Sequence, residues 1–353
     1  MKINNNLKGY SVKKILVIKM RFHGDMLLTT PVISTLKKNY PDADIDVLLY
    51  EDTIPILSEN PDIHALYGIK NKKSSAFEKA KNFLALTKAL RGNHYDLVVN
   101  LTDQWIVALL CRCLDCPIKL THDFSHRNKK FWRDSFTHHV PLSGDHWVER
   151  NLSVLTPLNL KESVPILKMV YGEQVWQSVR KKLPQVDTQK YVVIQPTARQ
   201  EFKSWENDRF SLVIDAIHHL GYQVVLTSGP GASDIACVDE IARACETKPL
   251  TEIAGKTTFP ELAALIDHAV LFIGVDSAPM HIAAAVKTPI ICLFGATDHI
   301  AWRPWSDDVV QFWAGDYQPM PVREKLDRSK KYLSAIPAED VIAAIASRLP
   351  KLD

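Results

Sequence analysis

The hydrophobic residues of this chain fall into short apolar runs that alternate with stretches of helical periodicity. An apolar run at residues 15–18 is followed by the polar turn RFHGD and by an amphipathic stretch over residues 26–38. The same order recurs from residue 190, where KYVVIQP leads through a polar segment into RFSLVIDAIHHLG. Strand-length runs that alternate with helical patterns predict parallel strands joined by crossover helices.

Further apolar runs extend this pattern through both halves of the chain. IDVLLY and DLVVNL lie in the first half, and YQVVLTS, VLFIGVDS and PIICLFG lie in the second. A length of 353 residues exceeds what one hydrophobic core usually supports. We therefore expect two α/β domains with doubly wound parallel sheets, 1–168 and 169–353. The boundary between the domains is expected around PILKMVYG, which is interpreted as a strand remnant. The last helix is expected to pack back on the first domain.

Charge is divided unevenly between the two predicted domains. Residues 1–168 carry 24 Lys and Arg against 17 Asp and Glu, a formal charge of +7, whereas residues 169–353 carry 19 against 23, a charge of −4. The basic half is expected to face an anionic partner. The opening residues are polar and basic, and the apolar run at 15–18 is too short for a secretory core or a membrane span, so a cytoplasmic location is expected.

In open parallel sheets, ligands bind beyond the carboxyl ends of the strands, so functional residues are expected in the loops after these runs. RFHGD places Gly24 in a tight turn and Asp25 at the start of the following helix. Asp25 suits two roles: an N-cap that accepts backbone N–H groups, or a catalytic carboxylate. Position alone leaves both open.

Two loops of the second half have features of anion binding. PTARQEFKSWEND carries Thr197 and Lys203 between a strand and a helix, which suits phosphate oxygens, although a solvated loop accounts for Lys203 equally well. In GVDSAPMHIAAAV, the turn from Asp276 to Pro279 opens a helix, and the N–H groups of a helix start bind anions. Asp276 would repel phosphate, so sugar or ribose hydroxyls are its expected contacts.

Two motifs that suggest metal binding are set aside. Asp42-Ala43-Asp44 has the DxD pattern of metal-dependent glycosyltransferases, but it precedes a strand and therefore lies at the wrong end of the sheet. Cys111, Cys113 and Cys116 continue an apolar stretch, and no second cysteine pair completes four ligands. Reduced thiols and no bound metal or other cofactor are expected.

The segment THDFSHRNKKFWRDSFTHH interleaves basic and aromatic side chains. Its cations are Arg127, Lys129, Lys130 and Arg133. Such a segment suits nucleic acid, a phosphorylated glycan or a membrane surface, and a surface loop anchored by its aromatic residues is an equal alternative. A second basic segment contains Lys70, Lys72, Lys73, Lys79 and Lys81.

Four motifs together resemble the ADP-heptose:lipopolysaccharide heptosyltransferase family. They are HGDMLLTTPVI near the N-terminus, FKSWEND in mid-chain, GVDSAPMHIAAA and LFGATD, and the resemblance covers essentially the whole chain. It implies a GT-B fold, with two Rossmann-like domains facing across a cleft, and an inverting, metal-independent transfer of heptose from ADP-heptose to the lipopolysaccharide inner core. Overall likeness within the family favours addition of the branching third heptose to the second.

The resemblance also implies roles for individual positions. Asp25 matches the general base and Lys203 the lysine that binds the donor phosphates and assists catalysis. The implied donor-binding positions are Gly24, Thr197, Ala198, Lys203, Asp276, Ser277, Ala278 and His281. Ser277 and Ala278 depart from the family, in which Thr and Gly are common there. The basic cations of residues 127–133 fall in the acceptor-binding domain.

The implied partners are ADP-heptose, the anionic inner core of lipopolysaccharide and, peripherally, the cytoplasmic face of the inner membrane; nucleic acid is not expected. Three alternatives remain open: another nucleotide-sugar enzyme, such as a different heptosyltransferase or an epimerase; a dinucleotide oxidoreductase; and a non-catalytic glycan- or membrane-binding relative. The oxidoreductase is disfavoured because neither half carries GxGxxG after its first strand.

Overall fold

A computed structural model describes residues 12–70 and 75–352 of the chain. The chain divides into two compact units, Met1–Lys168 and Met169–Asp353. Each unit is built on one parallel sheet.

The first unit contains a six-stranded sheet in the order β3-β2-β1-β4-β5-β6. The strands are β1 (Lys14–Ile18), β2 (Asp44–Tyr50), β3 (Ala65–Ile69), β4 (Leu97–Asn100), β5 (Ile118–His122) and β6 (His138–Val140). Every pairing is parallel, and four of the five residues of β1 are buried. A central parallel strand is covered on both faces, which explains why its apolar run is continuous rather than alternating.

The helices of the first unit cover this sheet. They are α1 (His23–Leu27), α2 (Thr30–Asn39), α3 (Ala76–Gly92), α4 (Trp105–Cys113), α5 (Lys130–Arg133) and α6 (Trp147–Ser153). The single helix expected over residues 26–38 is wrong, because the chain forms α1 and then restarts as α2. Pro31 is the second residue of α2, and its missing N–H and its ring prevent continuation of the preceding helix.

The segment that spans the boundary is not a strand, contrary to the expectation for PILKMVYG. Residues 164–172 carry no regular secondary structure. Two of their backbone N–H groups are bound by threonine hydroxyls of α2: Val164 by Thr35 at 2.9 Å and Lys168 by Thr30 at 3.0 Å. These side chains replace a neighbouring strand as hydrogen-bond partners.

The second unit contains a five-stranded sheet in the order β11-β10-β9-β7-β8. Its strands are β7 (Tyr191–Gln195), β8 (Gln223–Leu226), β9 (Leu271–Val275), β10 (Ile290–Phe294) and β11 (Val309–Trp313). Its helices are α7 (Glu173–Lys182), α8 (Asn207–His219), α9 (Ala232–Ala244), α10 (Phe259–Asp267), α11 (Ala278–Val286) and α12 (Ala338–Arg348).

The last helix, α12, belongs to the core of the second unit. It packs against α8, and Val341 and Ile345 join Phe210 and Trp205 in one buried cluster. The sequence-based expectation placed this helix on the first domain. Its buried face packs within the second unit, and the expected contact with the first domain stays a prediction.

Glu261 links the helices that support α11. It lies in α10, which packs against both α7 and α11. Its side chain accepts hydrogen bonds from Ser178 and Lys182 of α7, each at 2.7 Å, and from the backbone N–H of Thr258 at 2.8 Å. Burial by itself raises the pKa of Glu261, but the hydrogen bonds from Lys182, Thr258 and Ser178 outweigh it and hold the pKa below the ordinary value.

We expect Glu261→Gln to lower the free energy of unfolding by about 2 kcal/mol at neutral pH, because the amide carries no charge for Lys182. Since the folded-state pKa is lowered from 4.5, this contribution is present above pH 4.5 and is lost as the pH falls below it. Thermal unfolding at about pH 7 and about pH 3.5 tests this, because the difference from the native protein should shrink in acid. Glu252→Gln, at an exposed position, is the matched control, and a difference that is independent of pH would contradict the assignment.

Candidate active site

Each sheet has one position where the order of strands reverses direction. In the first unit it lies between β1 and β4, and in the second between β7 and β9. Loops diverge on either side of such a position, and the crevice between them binds ligands in open α/β sheets. The loops after these four strands contain Asp25, Lys203 and Asp276, three of the residues singled out in the sequence.

The turn between β9 and α11 presents a helix start to this crevice of the second unit. Ser277 is the N-cap of α11, with extended backbone, and makes no capping hydrogen bond. Its Oγ is buried, and within residues 12–70 and 75–352 it has no hydrogen-bond partner. Ala278 begins the nine-residue helix and Pro279 follows it, in the first turn where a missing N–H costs little. A buried hydroxyl that no described residue engages, at the start of a helix, makes this turn suited to an anion.

Lys203 reaches this turn from the loop after β7. It ends a short 3-10 helix, Glu201–Lys203, and its Nζ donates to Oδ2 of Asp276 at 2.7 Å. The side chains are 23% and 8% exposed, so the ion pair is largely shielded from water. Lys203 is therefore held in place across the switch point, rather than extending from a solvated loop. Asp276, expected to contact hydroxyls, is bound to this cation.

The floor of the crevice is a chain of neutral hydrogen bonds. Gln195, the last residue of β7, donates through Nε2 to Oγ1 of Thr197 at 2.9 Å. Its Oε1 accepts from Oγ1 of Thr227, which follows β8, at 2.7 Å. Thr197 is buried, and Ala198 packs against the hydrophobic core. These contacts fix the backbone of the loop that leads to Lys203.

Thr297 is a candidate residue that the sequence reasoning missed. It follows β10, the neighbour of β9, and its Oγ1 is buried without a partner in the part of the chain that the structure describes. Gly295 precedes it, and a Cβ there would lie 2.7 Å from the side chain of Leu333. The motif LFGATD contributed to the family resemblance, but Thr297 was not predicted as a site residue. The signal that could have identified it is its position after the end of a parallel strand. His281 lies buried in the first half of α11.

Asp25 lies at the corresponding edge of the first sheet. It is the third residue of the short helix α1, whose N-cap is Phe22, and Gly24 precedes it. The capping interpretation places Asp25 one position before the helix, and the structure does not place it there. The carboxylate is half-buried, and it acts electrostatically on the buried Lys19, which follows β1.

Asp103, in the loop after β4, organises basic side chains at this edge of the sheet. Its carboxylate is paired with Arg21 and lies 2.9 Å from Nε2 of His126. Its backbone oxygen accepts from Nε of Arg127 at 2.6 Å. One aspartate therefore positions three basic side chains from two separate segments.

The four cations proposed for the acceptor fall into two classes. Arg127 is engaged by Asp103 and lies 5.6 Å from the ring of Trp132, while Arg133 is paired with Asp123 at 3.2 Å. Lys129 and Lys130 are exposed at the start of α5. In the second basic segment, Lys72, Lys73 and the side chain of Lys79 lie outside the described residues.

The aromatic residues of the same segment include both buried and exposed side chains. Trp132 and Phe136 are buried in the core of the unit. Phe131 is 42% exposed and makes an edge contact at 5.6 Å with Trp105 of α4, itself 56% exposed. Buried aromatic residues therefore anchor the segment as a surface loop, and its expected binding role stays a prediction.

The two motifs for which metal binding is disfavoured lie away from the two switch points. Asp42 and Ala43 form the turn before β2, and Asp44 begins that strand. Burial raises the pKa of the Cys111 thiol to about 12 and that of Cys116 to about 11. Across residues 12–70 and 75–352, no group of three or more His, Cys, Asp or Glu side chains is arranged to hold a metal ion. Within the same residues, no helix is both long enough and apolar enough to cross a bilayer.

Comparison with known proteins settles the family. Residues 83–333 match the model of glycosyltransferase family 9 (heptosyltransferase). The chain is 66% identical over 333 residues to lipopolysaccharide heptosyltransferase 3 of Escherichia coli strain K12, covering 94% of this chain and 97% of that relative. The chain belongs to glycosyltransferase family 9. It is therefore a glycosyltransferase of the heptosyltransferase type, and the predicted family is confirmed.

Solved structures of family members share the architecture. A family 9 glycosyltransferase from Veillonella parvula superposes with a TM-score of 0.82 at 23% identity, covering 96% of this chain and 99% of that one. The E. coli heptosyltransferase WaaC, solved with ADP, gives 0.74 at 20% identity, covering 95% and 99%. Together with the two parallel-sheet units, these likenesses confirm the predicted GT-B fold class.

Proposed function

We propose that this heptosyltransferase transfers L-glycero-D-manno-heptose from ADP-heptose to the inner core of lipopolysaccharide, adding the branching third heptose to the second. The observation that carries the donor assignment is the start of α11, where the buried hydroxyl of Ser277 makes no capping hydrogen bond and Lys203 is bound to the preceding Asp276. This combination suits a diphosphate. The acceptor assignment rests on the 66% identity to a relative named for lipopolysaccharide.

The leaving diphosphate requires positive charge nearby, whereas the attacking hydroxyl requires a base that accepts its proton. As the sugar leaves the diphosphate, negative charge grows on the phosphate oxygens, and Lys203 with the N-terminus of α11 stabilises it. Asp25 takes the proton of the acceptor hydroxyl as that oxygen attacks the anomeric carbon. Attack from the face opposite the leaving diphosphate inverts the configuration. This assignment requires no metal ion, because a lysine and helix N–H groups supply the positive potential.

We further propose that the first unit contacts the anionic acceptor at the cytoplasmic face of the inner membrane. The helices α3, α4 and α5 are in successive contact. They expose large apolar side chains at Phe77, Leu84, Trp105, Ile106 and Phe131. The same three helices expose Lys81, Lys88, Arg112 and Lys130, and Lys129 is exposed at the N-cap of α5. Apolar side chains among cations favour an interface with anionic lipid headgroups.

Mass analysis of the product tests the proposed reaction. The purified protein is mixed with ADP-heptose and core glycans that lack the third heptose, and gain of one heptose residue is expected. A chelator should leave the rate unchanged. Interconversion of free nucleotide sugars without acceptor would indicate an epimerase, and activity restored only by a divalent cation would disprove the metal-independent assignment.

We expect Asp25→Asn to lower kcat by about a hundredfold or more, because the amide cannot accept the proton of the acceptor hydroxyl. Its melting temperature and ADP affinity should stay near native values. Asp42→Asn, in the DxD motif, is the matched control and should retain full activity. Parallel losses of stability and activity in Asp25→Asn would indicate a structural role instead.

Lys203→Ala should weaken ADP binding by about tenfold or more and lower kcat as well, because the same charge binds the diphosphate and stabilises it as it leaves. Calorimetric titration with ADP and steady-state kinetics measure the two effects. Lys256→Ala, an exposed lysine of the same unit, serves as the control. Native affinity and rate in Lys203→Ala would remove this residue from the donor site.

Charge reversal of Lys129 and Lys130 to glutamate should raise the acceptor KM by about tenfold at low salt, since each cation near an anionic surface contributes on the order of 1 kcal/mol. Arg127 and Arg133 are left intact because they have partners within the protein. Kinetics with free core glycan and with vesicle-bound acceptor separate two sources of the effect. A rise with both substrates indicates recognition of the glycan, and a rise only on vesicles indicates membrane contact. An unchanged KM in both assays would show that Lys129 and Lys130 are merely solvated.

A further inference from the structure

Residues 323–331 form a strongly basic stretch in the otherwise acidic second unit. Five of these nine residues are Lys or Arg and two are Asp or Glu, a formal charge of +3. The remainder of residues 169–353 carries 14 Lys and Arg against 21 Asp and Glu, a charge of −7. A negatively charged surface is therefore repelled by most of this unit and attracted by this one stretch. Its cations are Arg323, Lys325, Arg328, Lys330 and Lys331.

The fold does not neutralise these cations. Four of them are exposed, and Lys331 is half-buried. Within the part of the chain that the structure describes, none of the five forms a salt bridge with an acidic side chain. Asp327 is engaged inside the stretch, because its Oδ1 accepts from the backbone N–H of Ser329 at 2.9 Å and from its hydroxyl at 2.7 Å. The positive charge is therefore available to an external anionic partner.

The C-terminal end of the stretch is fixed to the core of the second unit. Tyr332 is buried, and its hydroxyl accepts from the backbone N–H of Asp327 at 3.1 Å. Leu333 is buried as well, and a Cβ at Gly295 would lie 2.7 Å from its side chain. Gly295 directly follows β10, at the carboxyl edge of the sheet, and the loop that carries Lys203 follows β7 at the same edge. The basic stretch therefore begins beside the edge that holds the proposed donor site.

An exposed apolar side chain lies next to the cations. Val322 directly precedes them and is 59% exposed. Residues 323–331 contain no aromatic side chain, which disfavours stacking on the bases of a nucleic acid. A small soluble anion would pair with the cations but would offer no contact to Val322. The headgroup region of an anionic bilayer accommodates both kinds of side chain.

We propose that residues 322–331 are a membrane-contacting loop of the second unit, which binds the anionic headgroups of a lipid bilayer. The cations supply the attraction, and Val322 enters the boundary between headgroups and acyl chains. This contact is separate from the one proposed for the first unit, because it involves none of the same residues. It also goes beyond the proposed reaction, since binding to lipid requires neither donor nor acceptor.

Sedimentation of the full chain with vesicles tests this proposal. In the triple variant Arg323→Glu, Lys325→Glu and Arg328→Glu, the partition coefficient on vesicles of equal parts phosphatidylglycerol and phosphatidylethanolamine should fall about tenfold or more. Binding of the native protein should be lost when NaCl is raised from about 0.05 M to about 0.5 M, because exposed charges are screened. Vesicles of phosphatidylcholine alone should bind both proteins equally weakly. An unchanged partition coefficient in the triple variant would overturn the proposal.

A second triple variant controls for net charge. Lys190→Glu, Arg243→Glu and Lys351→Glu change the charge of the same unit by the same amount, at exposed positions outside residues 322–331. This variant should retain most of the native binding to the anionic vesicles. Equal losses in the two variants would show that net charge alone attracts the protein to lipid, and the loop would have no special role.

Hydrogen exchange and kinetics locate the contact. The backbone N–H groups of residues 322–331 should exchange more slowly when the anionic vesicles are present, and this protection should be absent in the variant with Arg323, Lys325 and Arg328 reversed. The same variant should keep the native ADP affinity and the native KM for soluble core glycan. Weaker binding of ADP or of soluble glycan, with vesicle binding intact, would assign these cations to a substrate site and contradict the membrane contact.

Discussion

The candidate chemistry of this molecule depends on one constraint of parallel sheets. Their central strands are covered on both faces, so polar side chains that act on a ligand are confined to the strand ends. Four of the five residues of β1 and all five residues of β7 are buried, and the charged residues Asp25, Lys203 and Asp276 come after strands end. The reversal of strand order then opens space beside β1 and beside β7.

Both units place a lysine and an aspartate in the loops beside this space. In the second unit the partners come from loops after two neighbouring strands, and the hydrogen bond between Lys203 and Asp276 spans the switch point. In the first unit, Lys19 and Asp25 follow the same strand, and the lysine is the more deeply buried of the two. The pair of Lys203 and Asp276 stays partly accessible to an anion. The buried Lys19 can interact only with neighbouring protein groups.

The sequence predicted the parts of the fold that have a strong local cause. Apolar runs such as those at β1, β7 and β9 identified the buried strands, and the turn before Pro279 identified the start of α11. The break between α1 and α2 was missed, although Pro31 signals it. No local pattern showed that the threonines of α2 bind the segment before residue 169, because those contacts join residues far apart in the chain.

In the candidate site, too, the sequence identified individual residues but not the contacts between distant segments. Lys203 and Asp276 were singled out separately, but their ion pair depends on β7 and β9 being neighbours, which the sequence does not state. The burial of Lys19 was not predicted, because a lysine after an apolar strand normally reaches solvent. Its burial depends on α6, more than a hundred residues away. Thr297 was not predicted for a similar reason, since only the fold shows that its hydroxyl is buried with no partner among the described residues.

The ion pair between Lys203 and Asp276 also constrains how this enzyme can diverge. Because the aspartate is 8% exposed, loss of the lysine alone would leave a shielded negative charge at the mouth of an anion site. Loss of the aspartate alone would free the lysine to attract any small anion in the cell. Substitutions at the two positions are therefore tolerated best in combination, so the pair should covary among descendants of this sequence although 73 residues separate its members.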